Sequence, residues 1–236
     1  MESFLENPLE NLADDATIVT LSETDGLTLL SFREGGDFEG HAHEDHAGEA
    51  ESEDPAHDDH DEEAMDMHIW LDPQNAIAML NEIEKALSEA DPENAARYAA
   101  NAKAEADEIT ATSEILKAEL QNHQNKPFVV FHDAYRYFEE AYDLNAVGSV
   151  TVSPEVLPGA KRISEVREKL ENLDVACVFS EAQFNPRMVE VLKEGTGVNS
   201  AELDPLGSTL NAGPQLYTDL LKQMGSAFST CLSGNS

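Results

Sequence analysis

The sequence predicts an α/β protein whose second half is a strand–helix–strand lobe, led into by one long helix that separates it from a first part. Three observations carry this. From Lys126 onward, short apolar runs rich in branched residues alternate with stretches of helical period. Between Asp91 and Gln121 the helical pattern runs on without a break. Ahead of both, from Gly35 to Met65, there is no period at all, only charge and small residues.

In chain order, Phe4, Leu5, Leu9 and Leu12 space as a short helix, and Thr17-Ile18-Val19-Thr20-Leu21 reads as a buried strand from its branched residues. Residues from about 36 to 65 are expected to be disordered. Order resumes at Asp66-Met67-His68-Ile69-Trp70. Asp72 can cap a helix with Pro73 in its first turn, and Ile77, Leu80, Glu84 and Leu87 then share one side, with Met79 and Ile83 beside them. Asp91-Pro92-Glu93 starts the long helix, whose apolar side is Ala99, Ala102, Ala106, Ile109, Leu116 and Leu120. About 28 residues at 1.5 Å each would span roughly 42 Å, a length suited to a rigid backbone between lobes.

The second half follows as strand Phe128–Phe131 ending at His132-Asp133, strand Ala146–Val150, and a helix from Pro158 to Leu173. Strand Val175–Phe179 ends at Ser180-Glu181. A helix near Pro186 to Lys193, a short strand Ala201–Leu203 before Asp204-Pro205, and a helix from about Pro214 to Leu232 complete the chain. Ligands of such sheets bind beyond the carboxyl ends of the strands, where these polar residues fall.

Composition narrows the chemistry. The 236 residues carry 48 acidic and 14 basic side chains, a formal charge of -34, which argues against nucleic acid and anionic membrane surfaces as partners. Of the acids, 22 precede Met67, against the single base Arg33. Adaptation to a salty medium is an alternative source of the acids outside the tract. No run of 18 apolar residues occurs, and Met1-Glu2-Ser3-Phe4 lacks the basic and apolar regions of an export signal, so the chain taken literally is cytosolic. Cys177 and Cys231 form no CxxC motif and are either unrelated buried thiols or one disulfide.

Six of the eight histidines lie between positions 41 and 68, among carboxylates and without lysine or arginine. Imidazole with carboxylate suits a borderline divalent cation such as zinc. His41, His43, His46, His57 and His60 in the tract are candidate weak sites. The candidate rigid site is His68, His132 and Asp204, each beside an apolar strand-like run that can hold its side chain stiffly. Each has a plain structural alternative: a satisfied rim histidine, or an Asp-Pro turn start. Two histidines and one aspartate neutralise half of a dication, so a further ligand or water is expected. Glu181 can ligate metal or accept a hydrogen bond from a ligand, the second reading being preferred, and Asp133 can orient an imidazole or act as an acid. No nucleophile elbow or phosphate-cradling loop is present, and no catalytic function is expected.

The stretches Met67-His68-Ile69-Trp70-Leu71-Asp72-Pro73, Phe131-His132-Asp133-Ala134-Tyr135, Phe179-Ser180-Glu181-Ala182-Gln183-Phe184 and Leu203-Asp204-Pro205-Leu206-Gly207 together resemble the zinc-binding solute receptors of bacterial ATP-driven (ABC) metal importers. The resemblance covers nearly the whole chain. It implies a two-lobed metal receptor with a long interlobe backbone helix and metal in the cleft, the ligands mapping onto His68, His132 and Asp204. It implies zinc as transported ligand, an ABC permease in the inner membrane as partner, a monomer, and a periplasmic location for the full-length parent. The His-rich insertion is similar to the loop of zinc-specific members, and Cys177 and Cys231 match a pair joined as a disulfide there. Family members carry an export signal and a further part of the first lobe, with its histidine ligand, ahead of the segment matching Met1. The resemblance therefore implies an incomplete N-terminal lobe over residues 1–91, the backbone helix over 92–122 and the C-terminal α/β lobe over 123–236. A manganese or iron receptor, a metal-dependent adhesin on the same scaffold, and a metallohydrolase using Glu181 or Asp133 are the alternatives.

Overall fold

The computed structural model describes residues 16–33, 35–38, 65–151, 158–184 and 187–234. The helix expected around Phe4 to Leu12 and the five tract histidines fall outside them.

The first helix, α1 (Pro73–Ala90), begins as its sequence dictates. Asp72 stays extended and its Oδ1 accepts the Gln74 amide at 2.7 Å, while Pro73 fills the first turn, where no amide is needed. Pro73, Asn75, Ala76 and Met79 are buried, whereas Ile83 and Leu87 remain 40% and 44% exposed. The expected apolar side of α1 is therefore covered only in its first turns. A short 3-10 turn, Pro92–Asn94, leads into α2 (Ala95–Leu120), 26 residues or about 39 Å long. Its buried stripe is Ala102, Ile109, Thr112, Leu116 and Leu120; Ala99 lies outside it.

The rest is an open α/β lobe. Strands β1 (Pro127–His132), β2 (Asn145–Thr151), β3 (Cys177–Glu181) and β4 (Asn199–Leu203) form a four-stranded sheet in the order β2-β1-β3-β4, with every neighbouring pair parallel. The crossovers carry α3 (Arg136–Tyr142), α4 (Ala160–Asn172) and α5 (Arg187–Lys193), and α6 (Leu216–Leu232) closes the chain. Strand alternation divides the core in two. Phe128 and Val130 face the cluster that includes Leu116, Leu120, Leu221, Met224 and Phe228, while Val129 and Phe131 face Val166, Leu170, Val189 and Leu192.

Two contacts fasten the helices of the first face. Cys177, at the start of β3, is disulfide-bonded to Cys231 near the end of α6, with Cα atoms 5.8 Å apart. Gly225 on α6 lies so close to α2 that a Cβ there would stand 2.3 Å from a methyl of Leu116. Glycine is what permits that approach.

Two local expectations fail. Residues 17–20 form no strand: Ile18 and Val19 are 50% and 38% exposed, and only a 3-10 turn, Leu21–Glu23, follows. Branched residues form strand only against a partner ladder, and among the described residues none lies beside them. Helix α3 is unforeseen from the sequence. Its seven residues are too short for a periodic signal, yet Tyr137, Phe138, Glu139 and Tyr142 are all buried.

Candidate metal centre

Because all four strands are parallel, their carboxyl ends share one edge. His132 ends β1, Glu181 ends β3, and Asp204 immediately follows β4. Opposite them, the segment ahead of α1 runs through Met65 to a 3-10 turn, Ile69–Leu71, with His68 as the residue before it. This segment is bound to the second lobe by side chains. The Tyr137 hydroxyl on α3 donates to the carbonyl of Asp66 at 2.7 Å and accepts the Leu30 amide at 2.9 Å. The indole N–H of Trp70 donates to the carbonyl of Pro205 at 2.9 Å, and Tyr217 on α6 donates to the Trp70 carbonyl at 2.7 Å.

The two expected histidines meet at this edge. The rings of His68 and His132 are 5.5 Å apart centre to centre. Each has a carboxylate on the same ring nitrogen. Nδ1 of His68 is 2.6 Å from Asp66 Oδ1, which also accepts the His68 amide at 3.0 Å. Nδ1 of His132 is 2.6 Å from Glu181 Oε1, which also accepts the His132 amide at 3.2 Å. A carboxylate at Nδ1 holds the proton there and leaves Nε2 bare as a lone-pair donor, the arrangement of metal-ligating imidazoles. Glu181 thus takes the hydrogen-bonding role expected of it.

Asp204 stands differently. Its Oδ1 accepts Gln183 Nε2 at 2.9 Å and Ser208 Oγ at 3.1 Å, and its Oδ2 accepts the Thr209 amide at 2.8 Å and hydroxyl at 2.9 Å. Burial pushes this carboxyl up, but the bonds from Thr209 and Ser208 outweigh it and hold its pKa below the ordinary value. The group is therefore an anion at neutral pH, 3% exposed, held by its own loop and by Gln183 beyond β3. Among the described residues, no three His, Cys, Asp or Glu side chains are gathered as an ion would need. The structure brings His68 and His132 together and leaves the Asp204 oxygens facing its loop donors.

Asp133 does not orient an imidazole. It pairs with Arg33: the guanidinium Nε donates to its two oxygens at 3.1 and 2.9 Å, and Nη2 also contacts it. The same guanidinium reaches Glu139 on α3 at 2.7 and 3.2 Å and lies 3.6 Å over the Phe38 ring. Burial opposes the Arg33 charge, yet Glu139 and Asp133 outweigh it and hold the pKa above its usual value. Burial also raises Glu139, only partly offset by Arg33. The segment carrying Arg33 is seated on β2 as well. Ser149 donates its amide to Gly36 at 2.9 Å, an approach that Gly148 permits, since a Cβ there would stand 2.8 Å from that carbonyl. Ser31 bridges Met65, so the two flanks of the histidine tract lie side by side.

Asp66, Arg33 and Tyr137 were missed in the sequence. Asp66 alone had a local signal, an acid two residues ahead of a histidine; the others act across about 70 to 107 positions of chain.

The parallel sheet, the paired carboxylate–imidazole units at its edge and the long helix define a class: α/β binding proteins that hold a small cation between two lobes. The family model of the zinc-uptake complex component A, periplasmic (ZnuA), matches residues 1–231, and the chain belongs to this family. It is 44% identical over 250 residues to the high-affinity zinc uptake system protein ZnuA of Brucella suis biovar 1 (strain 1330), covering 99% of this chain and 74% of that protein. Among solved structures, a crystal structure of ZnuA superposes with a TM-score of 0.68 at 23% identity, covering 95% of this chain and 76% of the other, a likeness of fold. The laminin-binding adhesin Lmb of Streptococcus agalactiae, in a mutant form, matches at 26% identity with a TM-score of 0.63, covering 72% of this chain and 64% of that one.

Proposed function

We propose that the chain captures zinc in the periplasm for a high-affinity ABC importer, with Nε2 of His68, Nε2 of His132 and one oxygen of Asp204 as the protein ligands. The relatives named for zinc uptake and the family match support the function. The observation that carries the site is the pair of imidazoles 5.5 Å apart, each with a carboxylate oxygen 2.6 Å from Nδ1, an arrangement that favours the tautomer with Nε2 free for a metal. Asp204 is the anionic neighbour, and Oδ1, which accepts two of its hydrogen bonds from side chains, can exchange one for the ion. As the metal replaces its water by these donors, the two carboxylates behind the imidazoles raise their basicity and fix their aim. The family makes the protein the binding component of a transporter, with a cognate ABC permease as its partner, rather than a hydrolase. It works as a monomer whose lobes divide near residues 92 and 122, the tract histidines His41, His43, His46, His57 and His60 adding weaker zinc sites.

Chelator-competition titration tests the site. His132→Ala should weaken the tight zinc event more than about a hundredfold, since even partners behind a ligand are worth 10–100-fold. Removal of residues 41–61 should lower the number of weak sites and leave the tight event. An unchanged tight affinity in His132→Ala would refute the ligand assignment, and loss of all tight binding without 41–61 would transfer the site to the tract.

A further inference from the structure

The buried edge beside His132 holds two unpaired polar atoms. Tyr135 is fully buried, and its hydroxyl has no hydrogen-bond partner by distance and angle. Glu181 is 1% exposed, and its Oε2 is likewise without one. A buried polar atom left unpaired costs about 1–3 kcal/mol, more for a charged group, so two in one place require a reason. They are neighbours around one imidazole. The other oxygen of Glu181, Oε1, lies at His132 Nδ1, and the Tyr135 ring is 6.2 Å from the His132 ring. A phenolic hydroxyl carries its proton at neutral pH and is a donor.

We infer that Tyr135 is a positioning residue for zinc capture: its hydroxyl donates to Glu181 Oε2 and locks the carboxylate whose Oε1 holds the Nδ1 proton of His132. The reading rests on His132 being a ligand through Nε2. A carboxylate turns readily about its last torsion, because that torsion has broad wells. With Oε2 free, only the long bond from the His132 amide, at 3.2 Å, also restrains Oε1. Oε1 can then swing away from Nδ1, and the imidazole samples the tautomer that protonates Nε2 and blocks the metal. Tyr135 closes that route. Its ring is also a core element, 6.5 Å from Phe228, which Tyr135→Phe preserves while deleting only the hydroxyl.

The test uses the full chain with nitrogen-15 in its histidines. In zinc-free protein, the wild-type His132 signals should report Nδ1 protonated and Nε2 bare, and Tyr135→Phe should add the other tautomer. Zinc affinity by chelator competition should fall about tenfold, the lower end for partners behind a ligand. In a Glu181→Gln background the tyrosine change should add little, as two members of one contact are not additive. A wild-type tautomer and affinity in Tyr135→Phe, or the same tenfold loss irrespective of residue 181, would overturn the inference. If Tyr135→Phe does not fold, the wild-type hydroxyl proton decides. A downfield, carboxylate-bonded signal supports the contact, and a signal at the position of a free phenol refutes it. Failure of the ligand assignment shows separately, as unchanged zinc affinity in His132→Ala, because the tautomer is measured without metal.

Discussion

Replacing Arg33 by methionine isolates the contribution of one buried cation. Its side chain is 15% exposed and sits between Asp133 and Glu139, 9% and 6% exposed, with donor distances to Glu139 of 2.7 and 3.2 Å. Methionine keeps an unbranched apolar stem and deletes the charge, together with the guanidinium that lies over Phe38. Two carboxylates then remain buried without a counter-ion, for which the expected loss is about 3–5 kcal/mol. With m about 2 kcal/mol/M in urea, the midpoint of unfolding should fall by about 2 M at pH 7.5. The pH dependence has a definite sign. Glu139 has a folded pKa raised by burial, with Arg33 pulling it back. A carboxyl raised in the folded state favours folding below its unfolded pKa, and that contribution disappears as pH rises through the folded value. Without Arg33 the folded value climbs further, so at pH 5 the variant carries Glu139 more nearly neutral. The gap between wild type and variant should therefore shrink on acidification. A midpoint shift below about 0.5 M, or a gap that widens at pH 5, would refute the assignment of Arg33 as the buried counter-ion.

Two further outcomes follow from the core. Cys177→Ser with Cys231→Ser opens a loop of 54 residues of separation and should cost about 4 kcal/mol on the chain-entropy model, read as a lower urea midpoint that reductant no longer changes. Gly225→Ala places a methyl group 2.3 Å from Leu116 and should force α2 and α6 apart at a cost of about 1–3 kcal/mol, seen as a lower melting temperature.

The second lobe was legible because its signals are local. Four short branched runs, separated by amphipathic stretches, leave little choice beyond a parallel sheet with helical crossovers, and all four strands appear within two residues of their expected bounds. Asp72 and Pro73 announced α1 equally well. Residues 17–20 misled, because β-branching states what a strand would bury and says nothing about whether a partner lies alongside. Helix α3 was hidden by its length of seven residues. At the site, His68 and His132 could be picked out by their apolar flanks, but their pairing with Asp66 and Glu181 is a matter of three-dimensional register. So is the turn of Asp204 toward Ser208 and Thr209, which no spacing of residues reveals.

The bond between Cys177 and Cys231 also bears on cargo. Thiolates are the softest donors a chain can offer and outcompete imidazole for borderline metals, often holding them too tightly to surrender. Sealing both sulfurs into one covalent link, on side chains with no exposure, removes the only such donors this sequence has. What is left for a travelling ion is nitrogen and oxygen, a set from which it can be handed on. The link thus keeps both sulfurs out of a metal's reach while it fastens β3 to the last helix.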